Sequence, residues 1–230
     1  MMQALFPNSA EAPWSAAARH AAHTLNNVTG VLYAALDHLE EPLDVRSAER
    51  ARRAIERACA GTVALSAALS LLGLVSEDTQ ASIARGPTLV DTVDMARIVD
   101  ILGSVGGLAT SGCGSDSLEF RMRMDRDTLQ SLLVCAVARL KHSGGTELSL
   151  QWCSEAATAA AGGGPRVRFD VLARNAQSLV PGAAGLGGGQ HPCALALAHA
   201  GAVLAPSGLV IDMEQPGAVS LTIEAVADTP

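Results

Sequence analysis

The first third of the chain is patterned as two long helices separated by a proline. Apolar side chains recur three and four residues apart, at Leu25, Val28, Leu32, Leu36 and Leu39, which predicts one helix from Trp14 to Glu41. Pro42 ends it, because the residue before a proline is disfavoured in a helix. A second helix is predicted from Asp44 or Ser47, either of which can cap it, to Leu74. Its narrow seam follows a seven-residue repeat made of Ala51, Ile55, Ala58, Thr62, Leu65, Leu69 and Leu72.

Two antiparallel helices of this kind bury too little apolar surface to be stable by themselves. Only 3% of the residues are aromatic, so the core must be built largely from Ala, Leu and Val. Pairing two hairpins buries both seams in a four-helix bundle. We therefore predict that residues 13–76 form the dimerisation domain of a homodimer.

His23 lies opposite the apolar stripe of the first predicted helix. At about 100° per residue, Asn27, Gly30 and Ala34 follow His23 along the same face. This pattern predicts an exposed imidazole with small residues beside it, which would let the surface of another protein approach. A surface histidine without a function has the same pattern. His20, about 110° from the centre of the stripe, is a second candidate one turn earlier.

The rest of the chain reads as an α+β domain. Residues 1–12 are a polar lead, residues 77–92 with Gly86-Pro87 a linker, and residues 93–230 the second domain. Its elements are a helix at Asp91–Leu102, a strand at Leu118–Met124, a helix at Asp125–Lys141, strands at Glu147–Trp152 and Val167–Leu172, a loop at Ala173–Gln190, a helix at Pro192–Ala200, and strands at Leu209–Met213 and Val219–Val226. This order predicts helices on one face of a mixed sheet.

Charge and cysteine content limit the partners. A net charge of −7 and a pI near 5.3 argue against binding to nucleic acid or to an anionic membrane. The chain has no uninterrupted run of 18 apolar residues and no signal-peptide pattern, so we expect a soluble cytoplasmic protein. The cysteines are scattered without metal-ligand spacing, which predicts free thiols and no metal site: Cys59, Cys113, Cys135, Cys153 and Cys193.

The segment His23-Thr24-Leu25-Asn26-Asn27-Val28-Thr29-Gly30-Val31-Leu32 has the form His-x-Leu-Asn-Asn-x-x-x-x-Leu. Followed by this order of elements, it resembles the catalytic core of two-component histidine kinases, a dimerisation and phosphotransfer hairpin joined to a Bergerat ATPase-like domain. The resemblance implies that His23 is the phosphoacceptor, that Asn27 assists at the phosphoryl group, and that a response-regulator receiver domain is the partner.

The nucleotide motifs of that family are largely missing. Residues 129–142 resemble its N-box helix, but the asparagines that hold Mg²⁺ and phosphate fall on Cys135 and Arg139, which do not suit a hard cation. Leu172–Ala176 stands at the adenine-binding loop of that family but lacks the aspartate that hydrogen-bonds the adenine amino group. Thr24 replaces the acidic residue that follows the histidine in the kinases. Gly187–Gly189 is either a remnant of the family's glycine-rich phosphate-binding loop or an ordinary surface loop.

These departures imply a chain that needs neither ATP nor another cofactor. It is most similar to ChpT-type histidine phosphotransferases, dimers that relay phosphate between receiver domains in a phosphorelay. Two other hypotheses remain: a catalytically dead kinase-like protein that sequesters a receiver or another regulator, and a divergent ATP-dependent histidine kinase. The start of the helix at His191-Pro192-Cys193 is interpreted as a helix start rather than a site.

Overall fold

The structure is a computed structural model that describes residues 28, 30–34, 45–74, 86–106, 109–110, 119–155, 164–174, 191–215 and 217–226. Residues 28 and 30–34 are helical. The helices that follow are α1 (Val45–Leu72), α2 (Thr92–Gly106), α3 (Arg126–His142) and α4 (Pro192–Leu204). The strands are β1 (Thr88–Val90), β2 (Ala109–Thr110), β3 (Phe120–Met122), β4 (Thr146–Glu155), β5 (Arg166–Arg174), β6 (Leu209–Asp212) and β7 (Ala218–Glu224).

Local capping fixes where the helices of the second domain begin. Asp91 Oδ1 accepts hydrogen bonds from the backbone N–H groups of Val93 and Asp94, both at 2.9 Å. These donors, first of all the N–H of Asp94, hold the pKa of Asp91 below its usual value. Asp125 caps α3 in the same way, at 2.6 Å from the backbone N of Thr128. Both helix starts are those that the sequence predicts.

The main sheet has five strands in the order β2-β4-β5-β7-β6. β2 runs parallel to β4, and the other neighbours are antiparallel, so the sheet is mixed. β1 and β3 form a separate antiparallel pair. The α+β class predicted from the sequence is confirmed, and so is the order of the elements from α2 to β7 apart from β2, which was not predicted.

Several predicted boundaries and connections differ from the structure. Thr88–Val90, within the segment interpreted as a linker, is strand β1. Ala109–Thr110, between the predicted helix Asp91–Leu102 and the predicted strand Leu118–Met124, is strand β2. α2 ends at Gly106 instead of Leu102. β5 continues to Arg174, two residues into the predicted loop, because Ala173 N donates to the carbonyl of Gly217 at 2.8 Å. Such short pairings depend on distant partners, so local patterns do not reveal them.

Helices cover one face of the main sheet. The strands alternate in burial, and their inward side chains form the core together with α3 and α4: Leu150, Phe169, Val171, Leu209, Leu221 and Ile223. The opposite face carries partly or fully exposed residues such as Arg168, Thr222 and Val210. This is the sandwich that the sequence predicts, with one sheet face covered.

The second half of α1 is part of the same core. Ala68, Leu71 and Leu72 are buried in the cluster that contains the sheet residues, and α1 packs on α2, α3 and α4. α1 is also long and apolar enough to cross a membrane, by length and composition alone. One such helix is weak evidence for a membrane span: 33% of its apolar window is buried, including the contacts of Ala68, Leu71 and Leu72 with the sandwich.

Candidate functional site

The predicted site residues His23 and Asn27 lie outside the described residues, as does the alternative candidate His20. The structure describes the next turns of the same predicted face. Gly30 is exposed, and a Cβ placed on it would meet nothing within 4 Å. Ala34 is exposed as well. This described part of the face is therefore open and lined by small residues.

The other side of this short helical segment packs on α1. Val31 packs against Ala51 and Ala54, which are buried. Val28 lies against Gly61, where an added Cβ would come 3.3 Å from Val28 Cγ2. Since the earlier residue of the segment meets the later residue of α1, the two helices run antiparallel, as predicted for the hairpin.

The predicted seam of α1 is divided between two environments. Ala51, Ala58, Leu65 and Leu72 are buried within the chain, at 1%, 3%, 5% and 5% exposure. The alternate positions of the heptad point outward: Ile55 is 39% exposed, Leu69 is 46% exposed, and Thr62 is exposed. Leu32, on the preceding helical segment, is 40% exposed. Ile55 and Leu69, with Thr62 between them, thus form an uncovered row along one face of α1.

The first half of α1 has a charged face that is exposed to solvent. Glu49 pairs with Arg52 and Arg53, each at 2.9 Å. Hydrogen bonds first from Arg52 and then from Arg53 lower the pKa of Glu49 to about 2. Because these pairs are exposed, they add little to stability.

α3 holds the residues that stand at the metal-binding positions of the histidine kinase N-box helix. Cys135 is fully buried, and the neighbouring Cys193 thiol on α4, followed by burial, raises the pKa of its own thiol. Arg139 is half-buried, and its Nη2 donates to the carbonyl O of Met213 at 3.3 Å. Both positions are therefore occupied by contacts within the protein, and neither supplies an oxygen ligand for Mg²⁺.

Leu172–Ala176 stands where the kinase family has its adenine-binding loop. Its first three residues belong to strand β5. Leu172 pairs with Ala218, and Arg174 Nη1 lies 2.9 Å from Glu147 Oε2. The remaining residues of that segment, Asn175 and Ala176, lie outside the described residues, as do Gly187–Gly189. In the described part the backbone at Leu172–Arg174 is committed to strand pairing.

A second group of reactive side chains surrounds the start of α4. His191 caps this helix, accepting from Cys193 N through Nδ1 at 3.3 Å, with Pro192 in the first turn. This confirms the helix start predicted at His191-Pro192-Cys193. The ring of His191 lies against that of His142, with centroids 4.3 Å apart and planes inclined by 31°. With Cys135, these residues form what we call the thiol–imidazole cluster (Cys135, His142, His191, Cys193).

The sequence analysis missed this cluster because its members come from two distant helices. The only local signal is that Cys135 and His142 are seven residues apart, hence on one face of α3. Among the described residues, no group of three or more His, Cys, Asp or Glu side chains is arranged to hold a metal ion. Four cysteines are free thiols in the part of the chain that the structure describes: Cys59, Cys135, Cys153 and Cys193.

Fold and site together define an α+β sandwich with a long helix packed on its helical layer and a short antiparallel helical segment beside it. No protein-family model matches the chain, and no curated protein matches it.

Three solved structures are similar to this chain at low identity. A structure described as a bacterial phosphotransferase has a TM-score of 0.48 and 14% identity, covering 95% of this chain and 98% of its own. A histidine kinase from Burkholderia phymatum STM815 has a TM-score of 0.38 and 12% identity, covering 92% and 98%. The blue-light activated histidine kinase of Erythrobacter litoralis EL346 has a TM-score of 0.32 and 11% identity, covering 97% of this chain and 62% of its own. Likenesses of this strength do not assign the chain to a family.

Proposed function

We propose that this protein is a homodimeric histidine phosphotransferase of a two-component phosphorelay, with His23 as the phosphoacceptor. It takes a phosphoryl group from one receiver domain and passes it to another without ATP. The residues with chemical roles are His23, the nucleophile, and Asn27, one turn away. The direction of transfer is set by the relative stability of the two aspartyl phosphates.

The observation that carries this proposal is the orientation of the described helical segment. Val28 and Val31 face α1, whereas Gly30 faces open space. In the predicted helix His23 precedes Gly30 by seven residues, which is about 700° of rotation and returns to within about 20° of the same direction. If the helix continues unbroken back to His23, its imidazole points the same way as Gly30, which supports the proposal.

The proposed chemistry needs little from this chain beyond an accessible imidazole. Nε2 of His23 attacks the phosphorus of the receiver's aspartyl phosphate, and the bond from phosphorus to the carboxyl oxygen breaks, releasing the aspartate as a carboxylate. The receiver supplies Mg²⁺ and the acidic pocket. Asn27 lies at i+4 in the predicted helix, within reach of the phosphoryl oxygens or of a water. Because Gly30 has no side chain, it leaves room for the receiver to approach.

The contacts made by Cys135 and Arg139 on α3 support a function that does not use a nucleotide. A kinase would need oxygen ligands for Mg²⁺ where this chain buries the Cys135 thiol and places the Arg139 guanidinium. The dimer is supported by exposed Ile55 and Leu69, which share one face of α1, because exposed apolar side chains gain by being buried against a second copy. Leu32 on the preceding segment is a further exposed apolar residue.

The test is transfer from a receiver domain that has been phosphorylated with a small phosphodonor. We expect acid-labile, base-stable phosphate to appear on the wild-type chain. His23→Gln should abolish it, and His20→Gln, one turn away, is the matched control and should reduce it only modestly. Asn27→Ala should slow the turnover or onward transfer of the phosphohistidine while leaving receiver binding intact.

The alternatives give different results in the same experiment. Acceptance that survives His23→Gln and is lost in His20→Gln would place the phosphoacceptor one turn earlier. Binding of the phosphorylated receiver without any transfer, in the wild type and in both variants, would show a sequestering protein and refute the phosphotransferase. Phosphate that appears with Mg-ATP alone would show a kinase.

A further inference from the structure

We propose that four arginines in the first half of α1 form a docking surface for a carboxylate-rich segment of a partner protein. We call these residues the arginine stripe (Arg46, Arg50, Arg53, Arg57). This inference does not depend on the proposed phosphotransfer. It rests on the exposure of the four guanidinium groups, on their placement along one face of the helix, and on the ion pairs that surround them.

The arginine stripe follows a single face of α1. Its members are separated by four, three and four positions, so at about 100° per residue they lie within about 60° of one another. A helix rises by about 1.5 Å per residue, which makes the stripe about 16 Å long. All four residues are exposed. The stripe is therefore a continuous row of positive charge on the surface.

The carboxylates of α1 neutralise little of this charge. Among the described residues, Arg53 is the only member of the stripe that pairs with a carboxylate, that of Glu49. Glu49 is shared with Arg52 on the neighbouring face, and Arg52 also pairs with Glu56. In the part of the chain that the structure describes, the other three members of the stripe are thus left to pair with carboxylates of another protein.

The stripe also works against the stability of the helix that carries it. Arg46 stands in the first turn of α1, next to the positive end of the helix dipole, and that turn contains no acidic residue. Arg50 follows four positions later, a spacing at which like charges repel, and its Nη2 donates to Ser47 Oγ at 3.1 Å. Helix stability alone would favour the opposite charge here, so a role in binding explains these arginines better.

The arginine stripe stays accessible if the chain dimerises as proposed. Ile55, in the uncovered row of α1, lies about 140° to 180° around the helix from the members of the stripe. A recess of about 590 Å³ is lined by Val45, Glu49 and three members of the stripe, Arg46, Arg50 and Arg53. Val45 is 87% exposed and adds an apolar contact at the end of the stripe.

Charge complementarity identifies the partner as a carboxylate-rich protein segment. Guanidinium groups bind carboxylates through paired, charge-assisted hydrogen bonds. They bind phosphates as well, but nucleic acid carries a dense row of charge that extends beyond a stripe of about 16 Å. The chain has a net charge of −7, so the rest of its surface repels such a polymer. A short acidic segment reaches the stripe without bringing that charge against the remaining surface.

The test measures the binding of a fluorescein-labelled oligo-glutamate peptide to the full-length chain by fluorescence anisotropy at low ionic strength. We expect saturable binding that weakens as salt is added, and no binding of an oligo-glutamine peptide of the same length. Replacing Arg46, Arg50 and Arg57 together by Gln should weaken binding by about tenfold or more.

The matched control carries the same change in net charge at three exposed arginines outside α1. It should alter the affinity by less than about twofold, because these side chains lie away from the stripe. The control replaces the following residues by Gln: Arg97, Arg123 and Arg166. Circular dichroism checks that both variants are folded. Hydrogen exchange of the wild-type chain, with and without the peptide, needs no variant and should show protection within residues 45–57.

Three results would overturn the proposal: no binding of the peptide by the wild-type chain, equal loss of binding in the two variants, or protection confined to residues outside 45–57. It is also overturned if an oligothymidylate of the same length binds more tightly and competes with the peptide, since the stripe would then be a nucleic-acid site.

Discussion

His199 Nε2 on α4 lies 2.9 Å from the carbonyl oxygen of Leu74, just beyond the end of α1. This contact joins the long helix of the predicted hairpin to the sandwich at the point where the helix stops. Together with the burial of Leu71 and Leu72, it makes the end of α1 a part of the sandwich core instead of a free connection.

We therefore expect the end of α1 and the sandwich to unfold as one unit. Leu71 is 1% exposed, so Leu71→Ala should lower the free energy of unfolding by about 2–5 kcal/mol through lost burial and a cavity. Val93→Ala, at a position that is 61% exposed, is the control and should change it by no more than about 0.5 kcal/mol. Urea unfolding followed by circular dichroism and by Trp152 fluorescence, in a Trp14→Phe background, should give coincident transitions. Two separate transitions would show that the hairpin is independent.

The uncovered row on the hairpin predicts a dimer contact at Leu69. Its side chain is 46% exposed in the single chain, so Leu69→Asp should leave that chain folded but place an unpaired carboxylate in the bundle. We expect light scattering to give a monomer for this variant. Val210→Asp changes a residue of similar type that is 62% exposed on the open face of the sheet, and it should remain dimeric. A folded dimer with Asp at position 69 would place the interface elsewhere.

Millimolar Mg-ATP should not stabilise the chain. Buried Cys135 and half-buried Arg139 supply no oxygen ligand for Mg²⁺, and the strand Leu172–Arg174 supplies no aspartate for adenine. A ligand at about 100 times its dissociation constant adds about 2.7 kcal/mol, which would raise the melting temperature by several degrees. A thermal melt beside an authentic histidine kinase core checks this. If ATP raises the melting temperature as much as it does for the kinase, this chain binds nucleotide and the prediction is wrong.

Much of the fold follows from local chemistry. Asp91, Asp125 and the His191-Pro192 start cap helices through atoms one to three residues away, so the sequence alone places these starts correctly. The alternation of β5 and β7 likewise identifies strands with one buried face. By contrast, β1 and β2 are three and two residues long, too short for any period to be visible, and they exist because β3 and β4 pair with them.

The sequence by itself determined the α+β class, the order of the elements apart from β1 and β2, and a candidate phosphoacceptor face at His23 and Asn27 that remains a prediction. Only the tertiary structure decided which half of the α1 heptad is covered within the chain, and that His142 on α3 meets His191 at the start of α4. The physical reason is that periodicity and capping act over a few residues, whereas burial and contacts between helices depend on segments that are far apart in the chain.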